Sequence, residues 1–125
     1  VESKDFSGIR NNGSLPDPRD VNIPADSKDL LGEYVESANS MLDELEQAAL
    51  KYEAGDNSEE NTAIIRRLLH KIKGESSMMV INEISDICHQ TEYAFEEFDE
   101  NQRPDMLLRF KDWVCTATYN LASQV

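Results

Sequence analysis

The chain of 125 residues predicts an all-α fold, an antiparallel up-down four-helix bundle with a flexible N-terminal extension. Two observations carry this expectation. Four successive segments repeat apolar residues at steps of three and four, the period of a helix with one buried face. Glycine, proline and small polar residues punctuate the gaps between them, and no segment alternates apolar and polar residues as a half-buried strand would. Short loops between amphipathic helices favour antiparallel neighbours.

Residues 1–27 read as a flexible tail or linker, and residues 28–125 as the helical domain. The tail holds Pro16, Pro18 and Pro24 and the polar run Arg10-Asn11-Asn12-Gly13-Ser14. It has no apolar period, so it lacks the surface to offset its ordering entropy. A short piece could still dock through Leu15, Val21 or Ile23. Val1 opens the chain without an apolar leader, which reads as a piece cut from something longer.

The first helix is expected to start at a cap on Asp26 or Ser27. It carries Leu30, Leu31, Tyr34, Val35, Ala38, Met41, Leu42, Leu45, Ala49 and Tyr52 as its stripe. Gly55-Asp56-Asn57-Ser58 supplies a stop and a new cap. The second helix runs from about Glu59 to Met78, with Ile64, Ile65, Leu68, Leu69 and Ile72 inward and Met79 closing the stripe. A turn follows at Val80-Ile81-Asn82, with Asn82 the candidate cap. The third helix runs from about Glu83 to Phe98 on Ile84, Ile87, Cys88, Thr91, Phe95 and Phe98. Pro104 suits the first turn of the fourth. That helix turns Leu107, Phe110, Val114, Ala117 and Leu121 inward and leaves Met106 and Trp113 at its margin.

Composition narrows the function. A net charge of −13 and a pI near 4.4 disfavour nucleic acid and anionic membrane surfaces. The apolar runs are too short for a membrane span. Cys88 and Cys115 lie inside helical patterns without metal-type spacing, and read as free thiols of a cytoplasmic protein. Against this acidic background the segment Asn61 to Gly74 carries Arg66, Arg67, Lys71 and Lys73 and no acidic residue. A positive island around His70 suggests a place that receives phosphate.

Helical geometry locates the island's side chains. With Ile65 as the core direction, His70 lies about 140° away, Lys73 about 80°, Ser77 about 120° and Gly74 about 180°. With Ile84 as core, His89 lies near 140° and Glu92 near 80° on the third helix. If the second and third helices form a hairpin, His70 stands level with His89 and Glu92. The wheel leaves open whether the two flanks face each other. Gly74 inside a helix costs roughly 1 kcal/mol relative to alanine. It reads either as a bare patch that admits a partner protein or as a tolerated weak spot.

His70-Lys71-Ile72-Lys73-Gly74 resembles the H-x-x-K-G signature of histidine phosphotransfer (HPt) domains, four-helix bundles that carry phosphate in two-component signalling. The resemblance extends to the phosphotransfer domain of chemotaxis histidine kinases of the CheA type. There a lysine follows the accepting histidine by three residues, a second histidine by 19 and a glutamate by 22, matched here by Lys73, His89 and Glu92. It covers about Lys28 to Val125. Glu75-Ser76-Ser77 departs from the small, glycine-rich continuation common after the motif, and Val80-Ile81 stands where Gly-Phe is frequent.

The resemblance implies that His70 is the phosphoacceptor, reacting through Nε2. Glu92 would accept from Nδ1–H and fix the tautomer, Lys73 would offset charge on the phosphoryl oxygens, and His89 would extend the hydrogen-bond network. Gly74 and Ser77 would form part of the partner-docking surface. The implied partners are an ATP-binding kinase domain, in cis or trans, and an aspartate-bearing receiver domain, which hold the nucleotide and Mg²⁺. The chain has no ATP-binding signature and is expected to carry phosphate, without catalysis of its own, as part of a larger histidine kinase. No resident cofactor or metal is expected. Two other readings remain at this point: a helical-bundle adapter that binds signalling partners without phosphorylation, and a small metal-binding bundle.

Overall fold

The structure, a computed structural model, describes residues 6–11, 13–22 and 25–123. Its main elements are a short helix α1 (Gly8–Asn11) and four long helices: α2 (Leu31–Glu53), α3 (Glu59–Met78), α4 (Asn82–Glu97) and α5 (Arg103–Ser123). These four are the predicted helices, and no strand occurs among the described residues. Each packs on its neighbours in sequence and α2 closes the ring on α5, as in an up-down bundle.

The buried stripes follow the helical period. Leu42, Leu45, Ile65, Leu68, Leu69, Ile72, Ile84, Ile87, Phe95 and Phe110 are almost entirely enclosed, and each such side chain contributes roughly 1.5–3 kcal/mol. The buried hydroxyls among the described residues are paired. Tyr34 and Ser76 share a hydrogen bond of 2.7 Å, and Ser76 Oγ also lies 2.7 Å from the Ile72 carbonyl to which it donates. Burial pushes the Tyr34 hydroxyl well above the usual tyrosine range, partly offset by the Ser76 contact.

The helix ends show two stops of the same geometry. After α2, Gly55 N–H reaches the Tyr52 carbonyl and Asp56 N–H the Lys51 carbonyl. After α3, Val80 N–H reaches Ser77 and Ile81 N–H reaches Ser76. This pattern puts one residue in the left-handed region. Gly55 takes it at φ 113°, where a Cβ is no burden, whereas Val80 takes it at φ 57°.

Three starts are informative. Ser58 caps α3 as expected, accepting from Asn61 N–H at 3.2 Å. Asn82 is the first residue of α4 and not its cap; Ile81 precedes the helix, enclosed in the core, and its aliphatic side chain has no acceptor with which to cap it. Ahead of α2 the chain forms a 3-10 turn over Ala25–Leu30 instead of a capped α-helical start. The side chains of Asp26 and Ser27 lie outside the described residues.

The extension expected to be flexible is packed over its described part. Phe6, Ile9 and Val21 are buried and Leu15 packs against the core; Ile23 lies outside the described residues. The segment runs along α4 and α5. Side chains of α5 hold its backbone: Trp113 Nε1 donates to Pro16 O at 2.7 Å, Arg109 Nη2 to Gly13 O at 2.6 Å and Asn120 Nδ2 to Arg19 O at 2.9 Å. Phe6 meets the Trp113 ring edge-on at 5.2 Å. Trp113, expected at the helix margin, is consequently buried, and Met106, also expected there, is buried too. An aperiodic segment can bury isolated apolar residues when a neighbouring helix satisfies its carbonyls.

Candidate functional site

A groove of about 470 Å³ runs along the seam of α3 and α4. Arg66, Leu69, His70 and Lys73 line it from α3, and His89, Glu92, Tyr93, Phe95 and Glu96 from α4. The hairpin turn at Met79–Ile81 fixes the register, and it brings the two flanks left open by the helical wheel face to face. Four of the sequence-predicted residues, His70, Lys73, His89 and Glu92, therefore share one surface. Gly74 and Ser77 lie beyond the groove.

His70 is exposed on α3, and among the described residues no hydrogen bond is made to its imidazole. Glu92 faces Lys73 instead, with Nζ 3.0 Å from Oε1 and both side chains only partly exposed. The expected contact of Glu92 with the His70 Nδ1–H is thus absent in this state. An ammonium offers the carboxylate a full charge where a neutral imidazole offers a dipole.

One turn toward the other end, Arg66 reaches Glu96 through Nε at 2.6 Å and Nη2 at 3.1 Å. The hydrogen bond from Arg66 holds the Glu96 carboxyl below its usual range, and Glu96 raises the guanidinium in turn. Arg66 thereby joins the groove wall as half of an ion pair.

Beyond His70 the α3 surface is bare. A Cβ built on Gly74 would meet no atom within 4 Å. Ser77 and Ser85 join their hydroxyls at 2.8 Å, a tie between α3 and α4 near the turn. Cys88 is enclosed, and burial, aided by nearby Glu92, pushes its thiol well above the usual range. No group of three or more His, Cys, Asp or Glu residues able to hold a metal ion occurs among the described residues, nor does any helix among them have the length and apolar content to cross a membrane.

Sequence reasoning missed Tyr93 and Arg10. Tyr93 lies one turn beyond His89, so the helical period places it on the same flank. Its ring stacks edge to face on the His89 imidazole, centroids 4.8 Å apart. Arg10 lies 5.5 Å above the Tyr93 ring, and nothing in the aperiodic segment around it signals this.

With this geometry in place, comparison with known proteins agrees with the fold. The Hpt domain family matches residues 29–116. The chain is also similar to the chemotaxis protein CheA of Borreliella burgdorferi (strain ATCC 35210 / DSM 4680 / CIP 102532 / B31), at 29% identity over 96 residues. That alignment covers 72% of this chain and 11% of the length of that relative. No solved structure matches at a significant level. The chain belongs to the Hpt domain family, the histidine phosphotransfer modules of phosphorelays.

Proposed function

We propose that His70 is the phosphoacceptor of this module, taking a phosphoryl group from an ATP-dependent kinase domain and passing it to an aspartate of a receiver domain. The observation that supports the reading most is the seam itself. An exposed imidazole shares a groove with an ammonium, a carboxylate and a second imidazole, while the helix surface one turn on is open to a partner.

In this reading the lone pair of His70 Nε2 attacks phosphorus as the bond to the donor oxygen breaks, and Nδ1 keeps its proton through the attack. Lys73 then turns from Glu92 to the phosphoryl oxygens, and the released carboxylate takes up the Nδ1–H, spreading the positive charge of the ring. The return step reverses the bonds. A receiver carboxylate oxygen attacks phosphorus, the P–N bond breaks, and its electron pair returns to Nε2. Neither step needs a group that this chain must supply beyond these side chains; positioning and charge dominate phosphoryl transfer.

The test is labelling by a CheA-type kinase domain with ATP, or by a phosphorylated receiver. One phosphate per chain is expected, labile in acid and stable in base as a phosphoramidate is. His70→Gln should abolish the label and preserve helicity. Labelling that survives in His70→Gln, or transfers to His89, would overturn the assignment. A His70→Gln variant that still binds and signals normally would favour the adapter reading.

A further inference from the structure

The groove is built from more than the bundle. Tyr93 forms its outer wall, and the edge of this ring contact reaches the second imidazole, His89, with planes at 87°. Tyr93 is itself half exposed and has no place in the core. What lies on it is Arg10, a residue of the N-terminal segment and outside the part of the chain that matches the family. The Arg10 guanidinium is fixed in turn by two contacts with Glu97, Nε to Oε2 at 3.2 Å and Nη2 to Oε1. Phe6 and Ile9, on either side of the same short turn, are anchored in the core, so the arginine projects from a fixed backbone.

We propose that Arg10 and Tyr93 are positioning residues for His89, through which the N-terminal segment sets the rate of phosphate exchange at His70. The proposal rests on His70 being the acceptor. An imidazole on an exposed helix flank samples several rotamers, and an edge-to-face ring contact selects among them. That selection is only as firm as the tyrosine, which the cation above its face and the forked pair with Glu97 hold in place. The Arg10–Glu97 side chains are 39% and 49% exposed, and a pair so solvated contributes little to folding stability. What the arrangement supplies is geometry at the groove.

The experiment uses the full chain with Arg10→Met, Tyr93→Leu and Tyr93→Phe, none of which removes a core side chain. Three quantities are read: the ring-proton NMR shifts of His89, the rate of His70 labelling by a CheA-type kinase domain with ATP, and the thermal midpoint. Arg10→Met and Tyr93→Leu should move the His89 signals and slow labelling by roughly threefold or more at an unchanged midpoint. Tyr93→Phe, which keeps the ring, should retain the wild-type shifts and rate. An unaltered labelling rate in the first two variants, with or without a change in the His89 signals, would overturn the inference and leave His70 standing. Equal loss in Tyr93→Phe would also overturn it, since the hydroxyl and not the ring would then be responsible. If the wild type took no label on His70, the acceptor assignment would fall and the proposed control of its rate with it; the NMR arm would still report separately whether Tyr93 orients His89.

Discussion

Lys73 and Glu92 bridge the two helices of the hairpin, Nζ to Oε1 at 3.0 Å, directly beside His70. With His70 as the proposed acceptor, an incoming phosphoryl group would compete with Glu92 for the ammonium. Removal of the pair should act on transfer. Lys73→Ala and Glu92→Ala should each slow phosphate exchange without abolishing it, because neither replaces the nucleophile. In unfolding free energy Glu92→Ala should stay within about 1 kcal/mol of wild type, whereas Lys73→Ala, which leaves the buried Oε1 of Glu92 without its ammonium, should cost about 1–3 kcal/mol. Stopped-flow or quenched labelling together with urea titration checks both halves.

Gly74 offers the opposite case, a position where adding atoms should help the helix and harm the exchange. Gly74→Leu and Gly74→Arg meet open space and should stabilise α3 by about 1 kcal/mol through helix propensity. Transfer to a receiver should nevertheless slow, because the new side chain occupies the approach to His70. Unchanged transfer kinetics with raised stability would reduce Gly74 to a tolerated glycine.

Val80 holds a left-handed backbone at φ 57° with its side chain about half exposed. Val80→Gly should relieve that strain and lose little burial. The gain exceeds the entropy cost of glycine, giving a net stabilisation of about 1 kcal/mol. Equilibrium unfolding measures it, and a loss of stability would mean that the exposed Val80 side chain contributes more than its strain.

Alkaline pH probes the Tyr34–Ser76 contact. Burial raises the Tyr34 ionisation above its ordinary value of 10.0, so the unfolded chain loses this proton first. The corresponding stability is present below about pH 10 and is lost as the pH climbs toward the folded value. The buried thiol of Cys88, also raised, adds to the same loss. Tyr34→Phe should cost about 1 kcal/mol near neutral pH, since Ser76 keeps the Ile72 carbonyl as acceptor. It should also shallow the decline above pH 10. Urea midpoints at pH 8 and pH 11 distinguish this from a variant that merely shifts both values equally.

The helices were legible because a buried face imposes its period on the residues. The limits expected for the second helix, Glu59 to Met78, are those observed. His70, His89, Lys73 and Glu92 were legible for the same reason: helical angle and distance from the turn place them level. Their handedness was not, since a wheel has no knowledge of the neighbour. Nor was the partner of Glu92, because Lys73 and His70 line the same groove as its carboxylate and the helical pattern does not choose between them. The N-terminal contacts were hidden for a different reason. Phe6, Ile9 and Val21 are single buried residues without a repeat, and the donors that hold the segment's Gly13 and Pro16 carbonyls lie on α5, far along the chain.

The segment that seats on Trp113 changes what counts as one folding unit. Residues 29–116, the stretch shared with the family, leave out Phe6, Ile9 and Val21 at one end and the enclosed Ala117, Thr118 and Leu121 at the other. Cutting there would uncover the indole and strip the last turns of α5 of their inward side chains, each large one worth roughly 2 kcal/mol of burial. The smallest piece of this chain that keeps its core closed is therefore wider than the homologous stretch on both sides, and expression boundaries drawn at residues 29 and 116 should yield a sticky, partly opened bundle.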